Sequence, residues 1–286
     1  MTKFRGRNRS GWFVLMPPAV MAIAAGVILG QAALSPSSAQ PKQVDFDFLY
    51  LDSQPTVTEP MTEIELPDPL PDFPLDEADS LYVVVNKQRP LDPIDYAPEV
   101  VLVESEYLNN SRGIELAPVA AEAVIEMGKA AQQAGVGTLK LNSGYRSYDY
   151  QSELFIAKIG QYGEAEALER SAKAGHSEHQ TGLAVDVSEP SQGCEIMQCF
   201  GDTEAGIWVA ENVWRFGYIV RYELDQTSIT GYTYEPWHLR YVGKELAKRY
   251  YEGGFNTLEE FWGLDAAPDY LALPAEGSDQ LTEISD

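Results

Sequence analysis

Apolar residues along the chain fall into two patterns, and the order of the two suggests an architecture. In APVAAEAVIEMGKAAQQAG (117–135) they recur at helical spacing, with Pro118 near the start and Gly135 at the end, which predicts a helix. LYVVVNKQ (81–88) is a β-branched run and predicts a strand. TLKLNSGYRS (138–147) predicts a strand followed by a glycine-containing turn. A second helix is expected from Ser147, with Ser as N-cap and Asp149 in the first turn. EAEALERSAKAG (164–175) reads as another helix, ended by Gly175. HSEHQTG (176–182) is loop-like and LAVDV (183–187) a strand; TEAGIWVAENVWRFG (203–217) is helical and YIVRY (218–222) a strand. GYTYEPWHLRYV (231–242) gives a turn and a further strand, and VGKELAKRYYEGG (242–254) a closing helix with a glycine stop. Helices and short strands alternate without a regular β-α-β beat. The expectation is an α+β domain, with a small, mostly antiparallel sheet flanked by helices.

The flanks of this region have a different composition. Residues 40–79, as in TEPMTEIELPDPLPDFPLDEAD, are dense in proline and acids and read as an extended, disordered tether. The other reading is a few edge strands, with VDFDFLYL (44–51) as the best piece. Residues 264–286 have no Lys or Arg and read as a loosely ordered acidic tail. Residues 1–39 pair a basic start, MTKFRGRNR, with an apolar stretch from Trp12 to about Leu34, roughly long enough to cross a bilayer. The length favours a retained anchor. Pro17, Pro18, Gln31 and the small-residue site SPSSAQ favour a cleaved signal peptide, and both readings stand. Either one places the remaining chain outside the cytoplasm, in the periplasm or on the cell-wall side, membrane-anchored or secreted. The globular domain is then 80–263.

Charge and cysteine usage narrow the functions available. A net charge of −24 argues against a nucleic-acid partner, because phosphate binding needs clustered Lys and Arg. Cys194 and Cys199 are the only cysteines, and in an exported chain a local disulfide is the natural reading, with free thiols as the alternative. No G-x-S-x-G elbow, S-x-x-K motif, Walker A loop, G-x-G-x-x-G fingerprint or H-E-x-x-H helix occurs. Histidine and carboxylate chemistry remains.

The histidines are His176, His179 and His238. A catalytic zinc site commonly takes two His and one carboxylate, and His179, Asp186 and His238 can supply that set. Asp186 lies between Val185 and Val187, where a carboxylate needs a reason such as a metal. From spacing alone, an Asp186 that faces solvent on an alternating strand is an equal reading, and His176 with His179 is a competing ligand pair. In YEPWHLRYV, Glu235 precedes His238 by three residues, so a general base and a ligand could share a cavity. A surface Glu235 and a core Trp237 are the bland alternatives. Arg146, in the turn of NSGYRS, could stabilise an oxyanion or form a plain salt bridge.

Taken together, SGYRSYDYQ, GHSEHQTGLAVDV and EPWHLRYVG resemble the D-alanyl-D-alanine carboxypeptidases of the VanY type, in the zinc peptidase group that includes lysostaphin-like enzymes and the hedgehog domain. The resemblance runs from about NKQRPLDP to EPWHLRYVG. The family pattern S-x-H-x-x-G-x-A-x-D stands here as Ser177, His179, Gly182, Ala184 and Asp186. The resemblance implies Zn²⁺ on His179, Asp186 and His238, with Glu235 as general base and Arg146 as the carbonyl-polarising cation. It also suggests Ser177, Gln151 and Trp237 as substrate contacts, and gives His176 no ligand position. The implied activity is removal of the terminal D-alanine from peptidoglycan stem peptides. An L,D-carboxypeptidase acting on tetrapeptide stems, and a non-catalytic cell-wall binding module on the same fold, are the alternatives. No partner protein can be inferred.

Overall fold

A computed structural model describes residues 73–271. The proposed signal or anchor segment, most of the tether and the end of the acidic tail lie outside the described residues.

The first long helix, α1 (Pro118–Gln133), starts on a proline whose missing N–H would have no helical partner anyway. Its buried stripe of Ala120, Val124, Met127 and Ala131 faces a four-stranded antiparallel sheet. Before α1 lies a two-stranded ribbon, β1 (Val101–Leu102) with β2 (Glu115–Leu116). The sheet consists of β3 (Lys140–Ser143), β4 (Ala184–Ser188), β5 (Tyr218–Tyr222) and β6 (Glu235–Tyr241), in the order β3-β4-β6-β5. Between β3 and β4 run α2 (Tyr148–Tyr162), capped by Ser147 accepting from the Tyr150 N–H, and α3 (Glu164–Arg170). Helix α4 (Glu204–Asn212) precedes β5, and the short α5 (Thr227–Thr230) lies between β5 and β6. α6 (Lys244–Glu252) and α7 (Leu258–Trp262) close the described chain.

The pleat divides the sheet into two chemistries. Leu141, Val185, Val187, Val220 and Leu239 join the α1 core. The alternate residues Asp186, Ser188, Arg221, His238 and Arg240 face the other way, and all are buried. A polar face buried this deeply must be satisfied by partners within the protein, and those partners build the site. On the outer part of this face, Ile219 packs with Leu246, Tyr250, Leu258 and Phe261 of α6 and α7.

Three expectations are corrected by packing. LYVVVNKQ forms no strand: the Arg240 guanidinium takes the carbonyls of Leu81 and Val83, and Val83 and Val85 cluster with Ala78 and Leu91. The helix expected to run to Gly175 stops at Arg170. The packed region is also wider than 80–263. Phe73 packs tilted against Tyr82 and edge-on against Trp262, Ala267 N–H bonds to Ile229 O, and the Tyr270 hydroxyl accepts from the Lys173 N–H. α7 was missed, although Thr257 with Glu260 three residues later is a helix-start signal, and Thr257 does cap it. Cys194 and Cys199 are joined by a disulfide.

Candidate active site

Asp186 reaches the polar face because its neighbours Val185 and Val187 are committed to the core. Its partner across the β4–β6 ladder is His238, so strand register alone sets two donors side by side. His238 Nδ1 lies 3.1 Å from Asp186 Oδ1. His179 comes from a single 3₁₀ turn, Glu178–Thr181, that ends at Gly182 in a left-handed conformation. A side chain at Gly182 would also press on the Ala117 backbone nitrogen, so the position demands glycine twice over.

His179 Nδ1 lies 2.7 Å from the carbonyl of Gly144, itself held so close to Glu115 that a Cβ would not fit. This leaves His179 Nε2 pointing at Asp186, 3.3 Å from Oδ1, buried and without a hydrogen-bond partner. A buried ring nitrogen left unpaired is costly unless it serves as a ligand. The donor atoms of His179, Asp186 and His238 all lie within 4.8 Å of one another, and two imidazoles with one carboxylate are a set that zinc uses in catalysis. The residues fit the metal.

Ionisation differs between the two histidines. Burial, helped by Arg146, pushes His179 down to about 4, so it is neutral and ready to ligate. Burial opposes the charged form of His238, but its hydrogen bonds to Asp186 and Glu178 outweigh that and push it up to about 9. Asp186 is held below the usual carboxylate range, because the two histidines overcome the cost of burying its charge.

Glu178 has a role that sequence reading missed. Its Oε2 lies 3.2 Å from His238 Nε2, while Oε1 accepts from Arg221 Nε at 2.9 Å and Arg240 Nη1 at 3.2 Å. Arg221 also makes a two-pronged bond to Glu259, which accepts from Asn86. A ligating histidine whose far nitrogen meets a carboxylate is fixed in ring orientation and tautomer. The only sequence signal was the identity of the residue itself, a glutamate next to a ligand inside the motif.

The other predicted residues divide by position. Glu235 lies at the start of β6, and between Val220 and Tyr222 the ladder slips: two steps along β5 match four along β6. That irregularity lets Glu235 and His238 line one pocket although they are three apart in a strand. Burial, reinforced by Asp186 and opposed by His238 and Arg146, pushes Glu235 up to about 7. Arg146 Nη2 stands 3.9 Å from Asp186 Oδ2, and its buried Nε has no partner. Gln151 holds Arg146 Nη1 at 2.7 Å and donates to the Ala172 carbonyl. Gln151 is fully buried and positions Arg146. Ser177 lines the small pocket at the metal set, and Trp237 a larger adjoining cavity of about 530 Å³. His176 lies outside the site, bonded to the Asn86 carbonyl at 2.9 Å and edge-on to Tyr270.

Known proteins resemble this chain in sequence and in fold. A family model described as VanY, D-alanyl-D-alanine carboxypeptidase, matches residues 113–244, which hold every residue of the metal set together with Arg146 and Glu235. The protein YodJ of Bacillus subtilis (strain 168) is 41% identical over 187 residues, covering 64% of this chain and 67% of its own. The LD-carboxypeptidase LdcB is similar in structure, with TM-score 0.59 and 40% identity, covering 65% of this chain and 87% of that one. The D,D-pentapeptidase VanY from a VanB-type resistance cassette, solved with Zn(II), has TM-score 0.53 and 34% identity, covering 65% of this chain and 99% of that one. With the motifs, the ligand geometry and these likenesses in agreement, the chain belongs to the VanY-type D-alanyl-D-alanine carboxypeptidases, a family of zinc metallopeptidases.

Proposed function

We propose that this chain is a zinc-dependent D,D-carboxypeptidase that removes the terminal D-alanine from peptidoglycan stem peptides. One observation carries the reading: a two-histidine, one-aspartate set, a carboxylate poised near neutrality and a buried arginine with an unpaired Nε open into connected pockets. Zinc on His179, Asp186 and His238 supplies Lewis acidity toward the scissile carbonyl and toward water. Glu235, with a pKa of about 7, takes a proton on its carboxylate as water attacks and returns it to the leaving amine. Arg146, braced by Gln151, offers its guanidinium to the carbonyl oxygen as negative charge develops there. Ser177 and Trp237, on the pocket walls, contact the peptide.

Incubating zinc-loaded protein with pentapeptide and tetrapeptide muropeptides, with and without chelator, tests this by product mass. The pentapeptide should lose a single alanine, and chelator should stop the reaction. Chelator-insensitive cleavage would overturn the reading. The likeness to LdcB favours a second reading, L,D-carboxypeptidase activity, for which the tetrapeptide alone would be shortened.

We further propose an extracytoplasmic location, supported by the basic and apolar N-terminal sequence and by the Cys194–Cys199 bond, which persists in oxidising compartments. Among the described residues no helix is long and apolar enough to cross a membrane. Cell fractionation with N-terminal sequencing distinguishes a retained anchor from a cleaved signal. Recovery in the cytoplasm refutes both.

A further inference from the structure

Helix α2 turns one complete ridge toward the larger cavity. Tyr150, Leu154, Lys158 and Tyr162 all line it, at the four-residue spacing of a single helix face. The space extends from Arg146, Asp186 and Glu235 to the corner where α2 passes into α3. A terminal pair of alanines presents only methyl side chains, so the far part of this space faces upstream residues of a bound peptide.

Charge along the cavity is uneven. Its lining carboxylates, Asp186 and Glu235, both belong to the metal end. Elsewhere the lining carries Arg112, Lys158 and Arg170, in a chain whose net charge is −24. Lys158 Nζ and Arg170 Cζ stand 5.4 and 5.3 Å from the centre of the same Tyr162 ring. One aromatic ring thus gathers two like charges whose mutual repulsion an anion would relieve. Arg170 also meets Glu166 at 2.8 Å, but both side chains are about half exposed and water weakens the pair.

Distance sets the register. Lys158 follows Tyr150 by eight residues, about 12 Å along the helix at ~1.5 Å per residue. An extended peptide covers this in three or four residues at ~3.3 Å each.

We infer that the α2–α3 corner, built by Lys158, Arg170 and Tyr162, is a subsite for a free carboxylate on the peptide, about three residues upstream of the scissile bond. The inference rests on the peptidase reading above and deepens it. It makes the enzyme selective for acidic peptides although its own charge is strongly negative.

The test uses N-acetylated tetrapeptides ending in D-Ala-D-Ala, with Glu or the isosteric Gln at either preceding position. At low salt the zinc enzyme should favour Glu over Gln by about five- to ten-fold in kcat/KM, mainly through KM, and the preference should shrink in high salt. In the double variant Lys158→Gln, Arg170→Gln, shown to be folded by circular dichroism, the ratio should fall close to one. Calorimetric binding of the same peptides to zinc-loaded Glu235→Gln protein should show the same ratio without turnover. A ratio of one in the wild type, or one preserved in the double variant, overturns the subsite. If no peptide is cleaved while Glu peptides still bind better, only the peptidase reading fails; if none binds, both fail.

Discussion

Glu178 and His238 meet 3.2 Å apart, carboxylate to Nε2, beneath the metal set and out of reach of solvent. The contact leaves Nδ1 of His238 facing Asp186, as a ligand must. Glu178→Gln should weaken zinc binding by roughly 10- to 100-fold, the usual effect of losing such a partner, read by chelator competition. Glu178→Ala does more, because Arg221 and Arg240 lose their shared buried carboxylate. A stability loss of about 3–5 kcal/mol in denaturant unfolding is expected for breaking a buried pair this way.

Glu235 is separable from the metal. It is not one of the three ligands, so Glu235→Gln should keep full zinc stoichiometry by metal analysis. Turnover of pentapeptide should fall by about 10²- to 10⁴-fold, the range for losing a general base. An active variant removes Glu235 from the chemistry.

The pH profile follows from the same carboxylate. A base works when ionised, so kcat/KM should rise with pH through an acid limb. Burial pushes Glu235 up to about 7, and bound zinc, a positive charge nearby, draws the limb below that value. Arg146 acts on Glu235 in the same downward direction, so Arg146→Gln should move the limb to higher pH as well as slow the reaction. A limb that stays in place would separate the two residues electrostatically.

Zinc and protons compete at one histidine and not at the other. His238, pushed up to about 9, is charged at neutral pH in the metal-free protein, whereas His179, pushed down to about 4, is neutral. Binding should therefore release about one proton near pH 7, measurable by calorimetry in buffers of different ionisation enthalpy. Affinity should fall roughly tenfold for each unit of pH below that of His238. Release of two protons would show that His179 also starts charged.

The disulfide braces one wall of the cavity. Ile196, Met197 and Gln198, within the loop closed by Cys194 and Cys199, line it opposite no metal ligand of their own, and Ile196 is held at φ 51°. Replacing both cysteines with serine should cost about 2 kcal/mol in unfolding, as expected for so short a closed loop. KM should rise with the wall loosened, and zinc affinity should not change.

Much of this protein was legible in the chain. Helical spacing from Pro118, the Ser147 cap and the run LAVDV located α1, α2 and β4, because those signals are local. The order of SGYRS, SEHQTGLAVDV and EPWH carried the family resemblance that implied the metal set and its two helpers; spacing alone had left other readings open. Tertiary structure alone decided the rest. The valines of 83–85 became core without a strand, since Arg240 claimed carbonyls that a neighbouring strand would have used. The fold made Gln151 the brace of Arg146, and made Glu178, a neighbour inside the motif, the partner of His238. The role of Glu178 depends on a buried contact between residues sixty positions apart, and the placing of Glu235 and His238 on ladder register and the slip in β6. No local pattern records them, because a side chain's partner across a sheet is set by the fold and not by its neighbours in the chain.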